Sequence, residues 1–196
     1  MNDVDKSIEK YRQLILSANK TVNLVSRRSV DKLIPSLIEE SLIPLSWDGC
    51  KLASPLLDVG TGAGFPGIPL KLVRPDLHVT LLDSNRNKIL FVKSAIRHLS
   101  LADTDAIWQR CEDLAEEHEY RAYFKTVTAR GAGDFATLSL SVAKLLAQGG
   151  EFVVWLSEPP PISNAIREYF NSPNILNPKE GLLLYNFVRN ENGTIK

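Results

Sequence analysis

Residues 56–70 read Leu56-Leu57-Asp58-Val59-Gly60-Thr61-Gly62-Ala63-Gly64-Phe65-Pro66-Gly67-Ile68-Pro69-Leu70, and the architecture of the whole chain follows from them. The stretch starts as a short apolar run, passes four glycines within eight residues, and continues in an apolar pattern that can wind as a helix. Strand, glycine turn and helix in that order open the nucleoside site of a doubly wound α/β fold. Glycine, lacking a Cβ, turns sharply and lets a ligand approach the backbone. Pro66 and Pro69 fit the first helical turn, whose N–H groups have no intrahelical partner in any case.

Working outward, the chain upstream carries two helical patterns. Residues 4–17 place Val4, Ile8, Tyr11, Leu14 and Ile15 three and four apart, an amphipathic spacing. After a turn at Asn19 to Asn23, a second helix is predicted from about Ser29, its candidate N-cap, to Leu45, with Pro35 either kinking it or delaying its start. Downstream, strands are predicted at 78–82, 106–108, 124–129, 151–156 and 182–188, with helices over 85–99, 134–147 and 166–170. Strands alternating with helices predict a mostly parallel sheet, covered on both faces, with the ligand crevice at the strands' C-terminal ends. One domain is expected over 1–196, with a helical N-terminal extension of about 1–50 and an α/β core of about 51–190.

Composition narrows the function classes. Lys plus Arg and Asp plus Glu number 23 each, so the net charge is zero and any nucleic-acid partner must be met by a local basic patch. Two candidates are Lys20-Arg27-Arg28-Lys32 and Arg86-Lys88-Lys93-Arg97, although helix-face charges are more often simply solvated. Cys50 and Cys111 have neither metal-ligand spacing nor a disulfide framework, and no metal site is expected. The polar start, Met1-Asn2-Asp3-Val4-Asp5, is unlike a signal peptide, and no apolar run nears the roughly 18 residues that span a bilayer. The expectation is a cytoplasmic monomer with no membrane partner.

The strand order predicts that Asp58 to Phe65, Asp83-Ser84, Arg110 to Glu112 and Arg130 converge, since each lies at the C-terminal end of a strand. Asp83, 19 residues beyond Gly64, is placed to accept hydrogen bonds from both hydroxyls of an adenosine ribose. Alternatively, it caps the helix starting near Asn85. Cys111 and Glu112 are placed to flank an adenine; for Glu112 the plain alternative is a solvated loop acid. Two cofactor classes fit this layout. Gly62-Ala63-Gly64-Phe65-Pro66-Gly67 matches the dinucleotide pattern, which needs a pyrophosphate on the helix N-terminus. S-adenosylmethionine has no phosphate and carries a sulfonium and an amino-acid group, which calls for an acid near the first glycine. Asp58 supplies that acid, and Asp58-x-Gly60-x-Gly62-x-Gly64 favours S-adenosylmethionine.

These residues also carry a resemblance. Asp58 to Leu70, with the Gly-Phe-Pro-Gly-Ile-Pro extension, resembles the signature of the small-subunit ribosomal RNA guanine-N7 methyltransferases, the glucose-inhibited division protein B family. Leu82-Asp83-Ser84, Arg110-Cys111-Glu112 and Thr128-Ala129-Arg130-Gly131-Ala132 are similar to that family in order and spacing, and Asn19-Lys20 with Asn23-Leu24 resembles its Trp-Asn-Lys…Asn-Leu element. The resemblance runs from about residue 11 to 156. It implies a class I, Rossmann-like methyltransferase that carries a methyl group from S-adenosylmethionine to N7 of a guanine in 16S ribosomal RNA, with ribosomal RNA or the small subunit as partner. It also implies cofactor contacts from Gly60, Phe65, Asp83, Cys111, Glu112 and Arg130; Asp58 and Gly62 complete the expected set.

Departures from the family fall on the substrate side. Ala18 stands where the family has Trp, Ser36-Leu37-Ile38-Glu39-Glu40-Ser41 where it has Arg-His…Asp-Ser, and Leu156-Ser157-Glu158 where it has Leu-Lys-Gly. They leave open a divergent cofactor- or RNA-binding homologue with another substrate or no turnover; an NAD-dependent oxidoreductase is the remaining enzyme alternative. Guanine N7 has an unprotonated lone pair, so methylation there needs no general base and no catalytic side chain is assigned. Positioning alone can supply about 7–11 kcal/mol. Arg130 is the side chain best suited to phosphate or to the guanine O6/N7 edge, but it cannot occupy an N7 that is to attack.

Overall fold

The computed structural model describes residues 3–26 and 30–190. The expected N-cap Ser29, and Arg27 and Arg28 of the N-terminal basic patch, lie outside the described residues. Helices α1 (Asp3–Ala18) and α2 (Val30–Leu42) come first. Pro35 sits within α2, which runs on through it. The core follows as β1 (Leu56–Val59), α3 (Gly67–Val73), β2 (Val79–Asp83), α4 (Arg86–Leu99), β3 (Thr104–Trp108) and the single turn α5 (Cys111–Leu114). Then come β4 (Phe124–Arg130), α6 (Phe135–Leu145), β5 (Leu146–Leu156), α7 (Asn164–Tyr169), β6 (Asn174–Lys179) and β7 (Leu182–Val188).

The seven strands form one sheet in the order β3-β2-β1-β4-β5-β7-β6. Strands β1 to β5 are parallel, and β7 runs antiparallel to both β5 and β6. The order reverses between β1 and β4, the switch point beyond whose carboxyl ends doubly wound sheets bind ligands. This is the α/β, Rossmann-like arrangement that the alternation of strands and helices predicts. The added strand β6 was not legible: Asn174-Ile175-Leu176-Asn177-Pro178-Lys179 is almost wholly exposed and contains a proline, as an edge strand can.

Strand alternation divides the core between the two faces. Leu57, Val59, Val127, Ala129, Phe152 and Val154 pack with Leu138 and Val142 of α6 on one face. On the other, Leu56, Val79 and Leu81 pack with Ile68 and Leu70 of α3 and Val92 of α4. Tyr11, Ile15, Ile34 and Ile38 of α1 and α2 belong to that second cluster, so the N-terminal helices share the sheet's core. Asn19 shapes the turn after α1, its side-chain oxygen accepting from the N–H groups of Leu24 (2.8 Å) and Val25 (3.1 Å).

Candidate active site

The glycine loop is built around a buried carboxylate. Asp58 shares its strand face with Leu56, beneath α3, because alternate residues of a strand point the same way. Its Oδ2 accepts from the Thr61 hydroxyl (2.6 Å) and the Gly67 N–H (3.0 Å), and its Oδ1 accepts from the hydroxyl of Thr128 (2.9 Å), its direct neighbour on β4. Asp58 is fully buried, and burial pushes its pKa up to about 6. The hydrogen bonds from Thr61, Thr128 and Gly67 oppose that rise, and the charge of Asp83 adds to it.

Further N–H groups of the loop are also taken. Thr61 donates to Leu82 O (3.0 Å), Gly62 to Asp83 Oδ2 (2.9 Å), Gly64 and Phe65 to Thr61 O (2.7 and 2.9 Å), and Ile68 to Gly64 O (2.8 Å). The start of α3, where a dinucleotide would seat its pyrophosphate, therefore already holds the protein's own anion. The arrangement suits a ligand with no phosphate at this point. Asp58 was expected to face the ligand; it instead shapes the loop from beneath, with both oxygens engaged by the protein.

Beside the loop, a cavity of about 310 Å³ opens at the ends of β1, β2 and β3. It is lined by Gly60, Asp83, Lys88, Cys111 and Glu112, among others. Asp83 accepts from Gly62 N–H through Oδ2 and from Asn85 N–H (2.8 Å) through Oδ1. A carboxylate offers about four lone-pair sites, so acceptor capacity remains for ribose hydroxyls. Asn85 is the cap of α4, its side chain accepting from Asn87 and Lys88 N–H. Burial, with the charge of Glu112, pushes the Cys111 thiol up to about 12, so it stays neutral and serves as an apolar wall. Gly60 has φ +66°, and a Cβ there would fall 2.7 Å from Cβ of Ala132, so both conformation and space require glycine.

A second cavity, of about 330 Å³, lies over the ends of β4 and β5 and shares Gly131, Ala132 and Gly133 with the first. Arg130 lines this second cavity with Phe135, Trp155, Ser157 and Leu182. One guanidinium nitrogen of Arg130 donates to Glu40 of α2; Lys179 and Ser36 donate to the other oxygen of the same carboxylate. Trp155 Nε1 donates to the Glu40 carbonyl (2.9 Å). Burial works to raise the Glu40 pKa, but the hydrogen bonds of Lys179 and Ser36 and the charge of Arg130 outweigh it and lower the pKa. Neither Glu40 nor Lys179 was singled out as a site residue, for they lie 90 and 49 positions from Arg130 and no motif joins them.

Of the eight expected cofactor residues, Gly60, Asp83, Cys111 and Glu112 meet around the first cavity. Gly62 supports it through Asp83. Phe65 is buried in the core, its ring centroid 5.5 Å from that of Tyr11, and Arg130 faces the second cavity. Tyr11 reaches the loop as well, its hydroxyl donating to Ala63 O (2.7 Å). On the outer rim, exposed Trp108 donates to Ser84 O (3.0 Å) and lies under the Arg86 guanidinium, 5.6 Å from the ring centroid. Among the described residues no group of three or more His, Cys, Asp or Glu side chains could hold a metal ion.

Comparison with known proteins gives a consistent picture. The profile of the GidB family, rRNA small subunit methyltransferase G, matches residues 5–159. A protein of Pelotomaculum thermopropionicum named ribosomal RNA small subunit methyltransferase G is 35% identical over 167 residues, 83% of this chain and 67% of that protein. One of the same name from Clostridium beijerinckii is 32% identical over 169 residues, 86% of this chain and 70% of that protein. Among solved structures, MtNAS in complex with MTA and tNA superposes with a TM-score of 0.65 at 12% identity, covering 95% of this chain and 70% of that one, a likeness of fold.

Proposed function

This chain belongs to the GidB family of small-subunit ribosomal RNA methyltransferases, and from that premise we propose that it methylates N7 of a guanine in 16S ribosomal RNA, using S-adenosylmethionine. The observation that carries the cofactor assignment is the closed loop. Asp58 fills the anion position at the start of α3, and the adjoining cavity presents Asp83 and Glu112, groups suited to ribose hydroxyls and a cationic ligand. A nicotinamide dinucleotide would need the N–H groups that Asp58 and Asp83 already engage.

In the proposed site, Asp83 holds the ribose, Cys111 and Glu112 flank the adenine, and Gly60 lets the ligand pass close to the backbone. When bound, S-adenosylmethionine supplies a methyl carbon on a sulfonium; the N7 lone pair forms the new N–C bond as the C–S pair returns to sulfur, and the positive charge moves to the base. No proton need be removed from N7, so the chain's contribution is orientation and exclusion of water. Among the described residues no helix is long and apolar enough to cross a membrane. A cytoplasmic monomer is part of this proposal, and light scattering on the purified chain tests the monomer.

Calorimetry and methyl transfer test the reading together. The intact protein is expected to bind S-adenosylmethionine, with Asp83→Ala weakening binding at least about tenfold, the scale of losing hydrogen bonds to a charged group. Tritiated methyl groups are expected in 16S ribosomal RNA, offered naked and within small subunits, and N7-methylguanine is expected on digestion. Cofactor binding with no transfer into either form would favour the non-catalytic homologue.

A further inference from the structure

We infer that the second cavity is the seat of the target guanine, with Arg130 donating a single hydrogen bond to O6 from Nη1 because Glu40 holds its other terminal nitrogen. The inference rests on the proposed function, which places a guanine beside the cofactor. Position comes first. The two cavities meet at Gly131-Ala132-Gly133, so guests of the two would lie side by side. The lining is also that of a base pocket, with Phe135, Leu156 and Leu182 as apolar walls and Arg130 as the charged group. Enzymes that modify a base draw it into such a pocket, stack it on apolar and aromatic side chains, and read its edge by hydrogen bonds.

The state of Arg130 gives the specificity. A free guanidinium reads guanine bidentately, through O6 and N7 together. That mode would block the atom that must attack. Here one terminal nitrogen is held by Glu40, while the other, Nη1, is buried with no hydrogen-bond partner among the described residues. An unsatisfied buried donor is destabilising, a cost that an acceptor arriving in the adjoining cavity would remove. One donor suffices for O6 and leaves the N7 lone pair free. Adenine, with an amino group in place of O6, would set donor against donor.

Glu40 acts on the charge balance as well. Methyl transfer moves the sulfonium's positive charge onto the base, toward Arg130 and Lys179. The Glu40 carboxylate between those two cations offsets one of them. Ser36 and the Trp155 indole hold Glu40 in place, so it is a positioning residue for Arg130.

The test uses methyl transfer into 16S ribosomal RNA by the full-length chain. Once the methylated position is mapped, the same RNA is rebuilt by splinted ligation with 2-aminopurine there, which keeps N7 and lacks O6. Wild-type kcat/KM is expected to fall about tenfold or more on that RNA, the scale of one base-edge contact. Arg130→Met, which removes every donor, is expected to methylate both RNAs at the same reduced rate, with affinity for S-adenosylmethionine unchanged. Glu40→Gln frees the guanidinium and adds local positive charge, so kcat is expected to drop about tenfold while KM stays level or falls; a merely structural defect would not give that split. The inference is overturned if wild-type protein accepts 2-aminopurine as well as guanine, or if Arg130→Met keeps the discrimination. It is equally overturned if Arg130→Met weakens S-adenosylmethionine itself about tenfold, which would put Arg130 on the cofactor's carboxylate. In each case wild-type transfer into guanine leaves the proposed function standing; no transfer by wild-type protein overturns both.

Discussion

A carboxylate placed wholly inside a protein needs a reason, and Asp58 has one in the three donors that surround it. Burial raises its pKa from 3.8 to about 6 even with those bonds in place. The sign follows from linkage. A group whose folded pKa is raised binds its proton more tightly in the native state, so its contribution to stability is full below about pH 4 and is lost as pH rises through about 6. At about 1.36 kcal/mol per unit, the charged form costs about 3 kcal/mol near neutrality. Asp58→Asn keeps an acceptor for the Gly67 N–H but cannot titrate. Urea unfolding at pH 4 and pH 7 should therefore show the stability of the wild type relative to this variant falling by about 2 kcal/mol over that interval, since the unfolded carboxyl is already partly ionised at pH 4. A difference independent of pH would mean that the carboxyl titrates at its ordinary value. The sequence marked Asp58 as important and misplaced it. A strand end is where ligands are met, but the pleat sends Asp58 the same way as Leu56, and Thr61 three residues on was the sign that its partners are internal. Asp83 was the more legible of the two acids, for its side chain stands at the strand end on the cavity wall.

At the level of elements, the loop depends on a helix that precedes it by some fifty residues. The fully buried Tyr11 of α1 donates to Ala63 O, and its ring packs on Phe65. Tyr11→Phe keeps the ring and removes only that bond, leaving a loop carbonyl without its partner. We expect a loss of about 1–2 kcal/mol in unfolding free energy. We also expect a several-fold weakening of S-adenosylmethionine, since Ala63 lies between two of the loop's glycines; unchanged calorimetric affinity would detach α1 from the site. The spacing of Val4, Ile8, Tyr11 and Ile15 made α1 legible, and the runs at β1 and β2 with their glycine and proline boundaries made the parallel core legible. The second cavity was not, because the ends of β4 and β5 are closed by the start of α6 and the turn between β6 and β7, and the partner of Arg130 comes from α2, elements whose meeting is set by packing. Glu40 falls within the Ser36–Ser41 departure on the substrate side, but nothing in the sequence joins it to Arg130, and Lys179 reads only as part of an irregular polar stretch.

Across the whole molecule, the sheet is covered by apolar clusters on both faces, and one of them is completed by the N-terminal helices. Tyr11, Ile15 and Ile34 are each fully buried there, at about 1.5–3 kcal/mol for a large apolar side chain taken from water. Helices so committed have no separate core in which to persist, so we propose that extension and core unfold together. Far-UV circular dichroism follows all the helices, while tryptophan fluorescence follows Trp47, Trp108 and Trp155, none of which lies in α1. The two thermal transitions are therefore expected to coincide. Saturating S-adenosylmethionine, by binding only the native state, should move both upward by the same amount. The Tyr11 bond makes this second half the sharper test. If α1 were merely laid against the core, the dichroism would show an early loss of helix that the fluorescence does not report and the cofactor does not shift.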